Sequence, residues 1–412
     1  MNRRVLAAIW LLTRIMIIVR IGLLQEIEQD IQIYFNYSSN IFAGLVPYRD
    51  FVAEYPPGAL AFFLLPRIFS GEDILLYRLF FVLEIMLVEL WGWFLTDRFY
   101  RDKGCSEKHR NLAGLFYITV PTLIWFVSYQ RFDFIPAVLV LWSVILYDRG
   151  KRVPAWALMG LGFAVKLYPV ILAPVFLAYA FRHKTLTADF LKGVPAAVAA
   201  VSAIWIPFMA AAGNRFWVFL SYHGQRGIQL ESIYSSVLIT AHWFGYPAET
   251  NFSFGSWNLV SPVSPFLARI SLGIMAALMI LVFIRYLPLM KSPGRGVRGE
   301  EVFELPWLAI LMVLAFVIGG KVLSPQYLLW ILPLLVVVFR EGSDHTRSFF
   351  MVFGLIAFLS LLIYPLSYRS MTELALFPSL LLLIRNGLLV LMFYFLLSIG
   401  KTSKAAKKTK DT

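Results

Sequence analysis

The chain has 412 residues, of which 59% are hydrophobic and only 15% charged, a balance too apolar for a soluble globular domain. Its formal net charge of +13 would suggest nucleic acid in a soluble protein. Here, however, the basic residues cluster at the ends of apolar runs, as the positive-inside rule requires of a polytopic membrane protein. No nucleic-acid partner is expected, and the single cysteine, Cys105, excludes an internal disulfide and a cysteine-based metal site.

MNRR is followed by about 20 apolar residues, long enough to stay as a first helix rather than act as a cleaved leader. Apolar runs predict helices near 5–24, 74–96, 111–128, 134–147, 154–165, 170–182, 190–212, 262–287, 305–319, 326–339, 348–366 and 374–399. The expected fold class is therefore all-α and polytopic, about twelve transmembrane helices in one domain over 1–400. The lysine-rich end, 401–412, is expected to be a disordered cytoplasmic tail.

Between the first two spans lies Gln29–Gly58, QDIQIYFNYSSNIFAGLVPYRDFVAEYPPG, polar, aromatic and rich in turn residues. Asp30 follows the first apolar run by a few residues and should sit at head-group height. Residues 36–44 are expected to form a short interfacial helix, after which Pro47, Pro56 and Pro57 impose extended or turn geometry. The stretch Gly58–Phe69 has only about a dozen residues and contains Pro66 and Arg67, which predicts a second interfacial helix rather than a span. Counting it as a span would invert every later loop. With the N-terminus inside, the inner segments carry roughly three basic residues for each one outside. GRGVRG (294–299) reads as a flexible loop on the inner side.

The outer-face segments hold the residues that can do chemistry: SYQRFD (128–133), KLYP (166–169), a long loop over 213–261 containing YHGQRGIQLES, and KVLSPQY (321–327). Two joints are alike, since Lys166, Pro169, Pro174 and Arg182 parallel Lys321, Pro325, Pro333 and Arg340. Their flanking runs are short, which places both lysines below the outer surface, where a cation is costly and is a functional candidate.

An acidic residue beside the membrane, ringed by cations on one face, suits a lipid-linked anionic donor. A phosphate leaving group needs Lys or Arg to stabilise its developing charge, and an acceptor hydroxyl needs a carboxylate base within reach. Asp30 is the candidate base, and Arg131, Lys166, Arg226 and Lys321 are the candidate phosphate ligands. The competing reading of Asp30 is a helix cap or a partner for a nearby arginine, and of Asp133 and Glu231 simple ion pairs with Arg131 and Arg226. Tyr34, Tyr48 and Tyr55 could stack on a sugar or serve only as interfacial anchors. Asp50 and Glu54, set between prolines, are placed to shape the loop or contact acceptor. His223 and His242 read as structural. No metal-spaced cluster or phosphate loop appears, so no metal or other cofactor is expected.

The segments GLVPYRDFVAEYPPGAL (44–60), QRFDFIPAVL (130–139), GFAVKLYPVILAP (162–174), HGQRGIQLESIYSS (223–236) and KVLSPQYLLWILP (321–333) together resemble the recurring motifs of polyprenol-phosphate-dependent alpha-mannosyltransferase-type enzymes among the C-type integral membrane glycosyltransferases. The resemblance runs over roughly residues 28–335 and implies a C-type fold with interfacial helices in the first outer loop. It implies a polyprenyl-phosphate sugar donor, most simply a mannosyl donor, a glycan or glycolipid acceptor, membrane lipids as surroundings, and reaction on the extracytoplasmic face of the plasma (inner) membrane. It makes Asp30 the catalytic base. Further substrate contacts are expected from Tyr34, Tyr48, Asp50, Glu54, Asp133, Glu231 and Gln326. KVLSPQY has no histidine to assist the phosphate, which leaves that role to Lys321, Lys166 or Arg226. The runner-up function is a transporter or flippase of a lipid-linked glycan. Against it, the charges sit on one face and the first outer loop has no counterpart in the second half. A non-enzymatic assembly factor would make no use of these clusters.

Overall fold

The structure, a computed structural model, describes residues 2–24, 26–290 and 301–399. The expected GRGVRG loop and the 401–412 tail lie outside them. In chain order the helices are α1 (Arg3–Leu23), α2 (Gln29–Phe42), α3 (Pro57–Ser70), α4 (Ile74–Asp102), α5 (Glu107–Leu123), α6 (Trp125–Ser128), α7 (Phe134–Asp148), α8 (Arg152–Val165), α9 (Leu172–Arg182), α10 (Leu186–Ala188), α11 (Val194–Ala212), α12 (Val218–Gln225) and α13 (Ile233–His242). A hairpin follows, β1 (Glu249–Ser253) and β2 (Ser256–Val260), then α14 (Ser264–Met290), α15 (Glu304–Gly319), α16 (Leu328–Val338), α17 (His345–Leu361), α18 (Tyr368–Thr372) and α19 (Leu376–Ile399).

Each of the twelve expected runs is helical, and the fold is all-α apart from the hairpin. Among the described residues, length and apolarity mark five segments able to cross a bilayer: Arg3–Leu23, Leu186–Gln225, Ser264–Met290, His345–Leu366 and Leu376–Ile399. Helix α4 is long but carries Arg78, Glu84 and Glu89 along its apolar stretch. A helix of 15 residues rises about 22 Å, short of a hydrocarbon core of about 30 Å. The short apolar helices are accordingly the inside of the bundle: every residue of α16 and all but Glu304 and Phe316 of α15 are buried.

Helices α2 and α3 lie between α1 and α4, where interfacial helices were expected, but α2 begins earlier than residue 36. Glu28 caps it, its side chain accepting the Asp30 N–H, so Asp30 falls in the first turn. Pro57 opens α3, where a missing N–H costs nothing. At Gly58 the chain comes so close to α8 that an added Cβ would lie 2.6 Å from the Ala164 carbonyl oxygen. That contact presses the first loop against the Lys166 joint.

The basic loops gather at one end of the bundle. Asp97 at the end of α4 meets Arg3, Arg101 and Arg110 at 3.5, 2.6 and 3.7 Å, and Lys103 and Arg149 reach Asp148 and Asp102. Within the bundle, Arg14 of α1 pairs with Glu89 of α4. Trp10 Nε1 and Tyr129 OH also donate to Glu89 Oε2, at 3.2 and 3.0 Å. Arg14 reaches α5 through Thr122 Oγ1 at 2.7 Å and the Ile118 carbonyl at 3.0 Å.

Candidate active site

At the opposite end the loops enclose a cavity of about 880 Å³, a size that suits a small-molecule substrate. Its walls come from the first loop (Glu26–Pro56), the α6–α7 joint, the α8–α9 joint, the hairpin, the start of α14 and the α15–α16 joint. Asp30, Tyr34, Glu54, Arg131, Asp133, Lys166, Arg226, Glu231, Lys321 and Gln326 all line it.

Asp30 is partly open, its side chain 19% exposed. Its Oδ2 lies 2.9 Å from Arg131 Nη2, and its Oδ1 accepts from Tyr55 OH at 3.2 Å and Tyr34 OH at 3.5 Å. The Tyr34 ring is stacked on Phe63 at 4.1 Å, so only its hydroxyl edge is presented. Arg131 also donates to Glu28 Oε1 at 2.9 Å. Burial first, and then the Asp30 charge, push Glu28 up to about 7. Burial likewise raises Glu54 above the ordinary carboxylate range.

The two lysine joints share a build. Lys166 is extended where α8 stops, and a 3₁₀ turn, Tyr168–Ile171, leads into α9. Ser324 is extended and a 3₁₀ turn, Pro325–Tyr327, leads into α16. Their lysines are used differently. Lys166 Nζ bonds Asp133 Oδ1 at 2.6 Å, over the Phe132 ring at 4.5 Å, while Trp330 Nε1 donates to the same oxygen at 2.7 Å. Lys321 Nζ instead donates to the carbonyls of Gly224 and Arg226, at 2.8 and 2.6 Å. Burial, then Arg226, lowers its proton affinity. Arg226 lies over Tyr222 and donates Nε to the Phe254 carbonyl at 3.0 Å. Among the described residues neither Lys321 nor Arg226 has a carboxylate at ion-pair distance. Ser324 Oγ donates to Gln326 Oε1.

Several expected placements are corrected. Tyr48 and Asp50 lie outside the cavity. Tyr48 is buried with a left-handed backbone, φ 67°, held by its OH bond to the Tyr55 carbonyl at 2.7 Å and by Phe216 and Phe219. Asp50 faces solvent, accepting from the Val46 N–H at 2.7 Å and from Arg49, a turn-forming role. Asp133 and Glu231 do not pair with Arg131 and Arg226, their neighbours in sequence, because the fold offers Lys166 and Arg385 instead. Glu231, raised to about 7 by burial, meets Arg385 Nη2 at 3.1 Å.

Sequence reasoning missed Glu28, Arg385, the tyrosines Tyr364 and Tyr368 and the hairpin. The hairpin was announced by NFSFGSWNL, aromatic residues alternating with polar ones about a Phe254–Gly255 turn in which both residues have positive φ. It stands on residues 228–230 through the bonds Leu230 N–H to Trp257 O and Leu259 N–H to Ile228 O, with Trp257 and Phe252 in the cavity wall.

The bundle, with a loop-built cavity that brings Asp30, Arg131, Arg226 and Lys321 together, has a GT-C fold, as its likeness to a solved structure shows. The structure is similar to that of ArnT from Cupriavidus metallidurans, solved bound to undecaprenyl phosphate, with a TM-score of 0.51, 14% identity, and coverage of 96% of this chain and 76% of that one. A search of curated proteins finds no match. Residues 51–315 match the sequence profile of glycosyltransferase family 87, and the chain belongs to that family. Asp30, Lys321 and Arg385 lie outside the matched segment.

Proposed function

We propose that this glycosyltransferase moves a hexose, most simply mannose, from a polyprenyl-phosphate donor to a hydroxyl of a lipid-linked or cell-envelope glycan, with inversion, on the extracytoplasmic face of the inner membrane. The observation that carries the reading is one cavity lined by the Asp30 carboxylate, by the cations Arg226 and Lys321, and by Ala268, Leu272 and Met275 of α14, a helix with few buried residues along its apolar length. The prenyl chain lies along α14 among lipid tails, with its phosphate on Arg226 and Lys321. Asp30 takes the acceptor proton as the acceptor oxygen bonds to the anomeric carbon. The carbon–oxygen bond to phosphate breaks with its electron pair, and polyprenyl phosphate leaves. Lys166 and Arg131, each already paired with carboxylates, hold the walls. ArnT was crystallised with a lipid of the same chemical class as the proposed leaving group.

The test is release of polyprenyl phosphate by purified protein from a panel of polyprenyl-phosphate sugars, with a membrane lipid extract as acceptor source. Release from the mannosyl donor that falls 10² to 10⁴-fold (roughly the worth of a general base) in Asp30→Asn supports the reading, and undiminished turnover in that variant overturns it. Sidedness rests on Cys105, which sits with the basic loops, half-buried and with its thiol pushed up by burial. An impermeant thiol reagent at alkaline pH is expected to reach it only from the cytoplasm. Labelling from outside would put the cavity on the other face.

A further inference from the structure

Gln229 lines the cavity and is only 6% exposed, yet its side-chain amide makes no hydrogen bond among the described residues, and its Oε1 is buried without a partner. A buried polar group left bare is uncommon and marks a place where a ligand can supply the bond. The amides nearby are already bonded: Asn258 Nδ2 donates to the Ser253 carbonyl at 3.1 Å, and Gln326 Oε1 accepts from Ser324 Oγ. The backbone carrying Gln229 is held on both sides. Its N–H donates to the Lys321 carbonyl at 2.9 Å, and its own carbonyl accepts the Ser232 N–H at 2.9 Å and the Ser235 hydroxyl at 2.7 Å. It is bridge-paired with Asn258 of β2, while its neighbours Ile228 and Leu230 bond to Leu259 and Trp257 and stay out of the cavity wall.

Position and chemistry narrow the ligand. Lys321 Nζ reaches back to the carbonyls of Gly224 and Arg226, so Gln229 sits beside the two cations proposed for the donor phosphate. A sugar-linked phosphate at neutral pH offers only acceptor oxygens, and an amide oxygen has nothing to take from it. The next group along the donor is the sugar ring, whose hydroxyls donate and accept at once. An amide carries both halves of that match, whichever way it is turned.

We propose that Gln229 reads a hydroxyl of the donor hexose and is a specificity-determining residue of the transfer. The inference rests on the donor phosphate lying on Arg226 and Lys321. A site built to bond a hydroxyl rejects the analogue that lacks it, because its own polar group is then left buried and bare.

The test compares kcat/KM for release of polyprenyl phosphate from the mannosyl donor and from its monodeoxy analogues, each lacking one hydroxyl. In the wild type one analogue is expected to lose about 10 to 100-fold. Gln229→Met, close in size and unable to bond a hydroxyl, should lose about the same factor on the parent donor and nothing more on that analogue. Polyprenyl phosphate itself should bind this variant as it binds the wild type. Should the methionine variant not fold, Gln229→Asn, its amide withdrawn by one methylene, is held to the same collapse of selectivity. A wild type indifferent to every missing hydroxyl overturns the proposal without any variant. Equal losses on all donors, selectivity that survives in the variant, or weaker binding of polyprenyl phosphate overturns it too, leaving Gln229 as a loop or phosphate group. If another hexosyl donor is turned over in place of the mannosyl one, only the sugar assignment falls, and the deoxy series is made on that hexose. Release from no donor at all removes the proposed function and this inference together.

Discussion

The Arg14–Glu89 cluster and the Glu28–Asp30–Arg131 cluster contain the same kinds of groups and differ in how completely they are closed. Arg14 and Glu89 are 2% and 0% exposed, and every nitrogen of Arg14 has a bond, to Glu89, Thr13, Thr122 or the Ile118 carbonyl. Arg131 and Asp30 are 16% and 19% exposed. Arg131 Nε finds no partner among the described residues, and one Nη2 is divided between two acids. A buried ion pair that satisfies all its valences fixes a fold. One left under-satisfied at a cavity wall retains capacity for a ligand or a proton.

The largest expected effect comes from opening the closed cluster. Glu89→Leu strands the Arg14 charge among helices and should cost about 3 to 5 kcal/mol of stability, seen as loss of monodisperse protein in detergent and a lower melting temperature. Arg14→Met combined with Glu89→Leu should recover much of that loss, whereas Asp30→Asn should melt close to wild type. Equal melting losses in Glu89→Leu and Asp30→Asn would erase the distinction between the clusters.

Next in size are Arg226 and Lys321, which have no carboxylate at ion-pair distance among the described residues. Arg226→Gln and Lys321→Gln should each weaken donor binding by about 1.5 to 3 kcal/mol, the worth of a hydrogen bond to a charged group, measured by titration with polyprenyl-phosphate mannose. Lys166→Gln should change donor affinity less, since its ammonium already belongs to Asp133. Should all three leave affinity untouched, the cations serve topology and loop structure.

The smallest expected effect is pH-dependent. Glu231 sits at about 7 in the folded protein against an ordinary value near 4.5. The folded state therefore binds the extra proton, and stability declines as pH rises through that interval to level off above about 7. Without Arg385 the Glu231 charge loses its partner, and protonation can relieve it. Arg385→Gln should accordingly be more destabilising at pH 8 than at pH 6, by about 1 kcal/mol, in melting curves at the two pH values.

Much of this arrangement was legible in the sequence. Apolar runs bounded by Arg and Lys gave the helices. The lysine and proline spacing announced two joints that share extended backbone and a 3₁₀ turn. Pairing was not legible, because neighbours in sequence are poor guides to neighbours across a bundle: Asp133 turns from Arg131 to Lys166, some 33 residues away, and Glu231 to Arg385, 154 residues away. Glu28 escaped notice because its significance lies in sharing Arg131, 103 residues on. Tyr48 looked like a sugar contact until packing turned its ring inward.

The Glu231–Arg385 contact also couples two distant parts of the chain. Arg385, 0% exposed, and Asn386 of α19 bond the carbonyl of Glu231, and Asn386 holds Ser232 and Ser236 at the start of α13. Helix α19, the last among the described residues, is thereby clasped to the segment that leads from Arg226 into α13. A wall of the cavity thus hangs on a helix 154 residues further along the chain, so that a shift of α19 would be passed to the loop carrying Arg226.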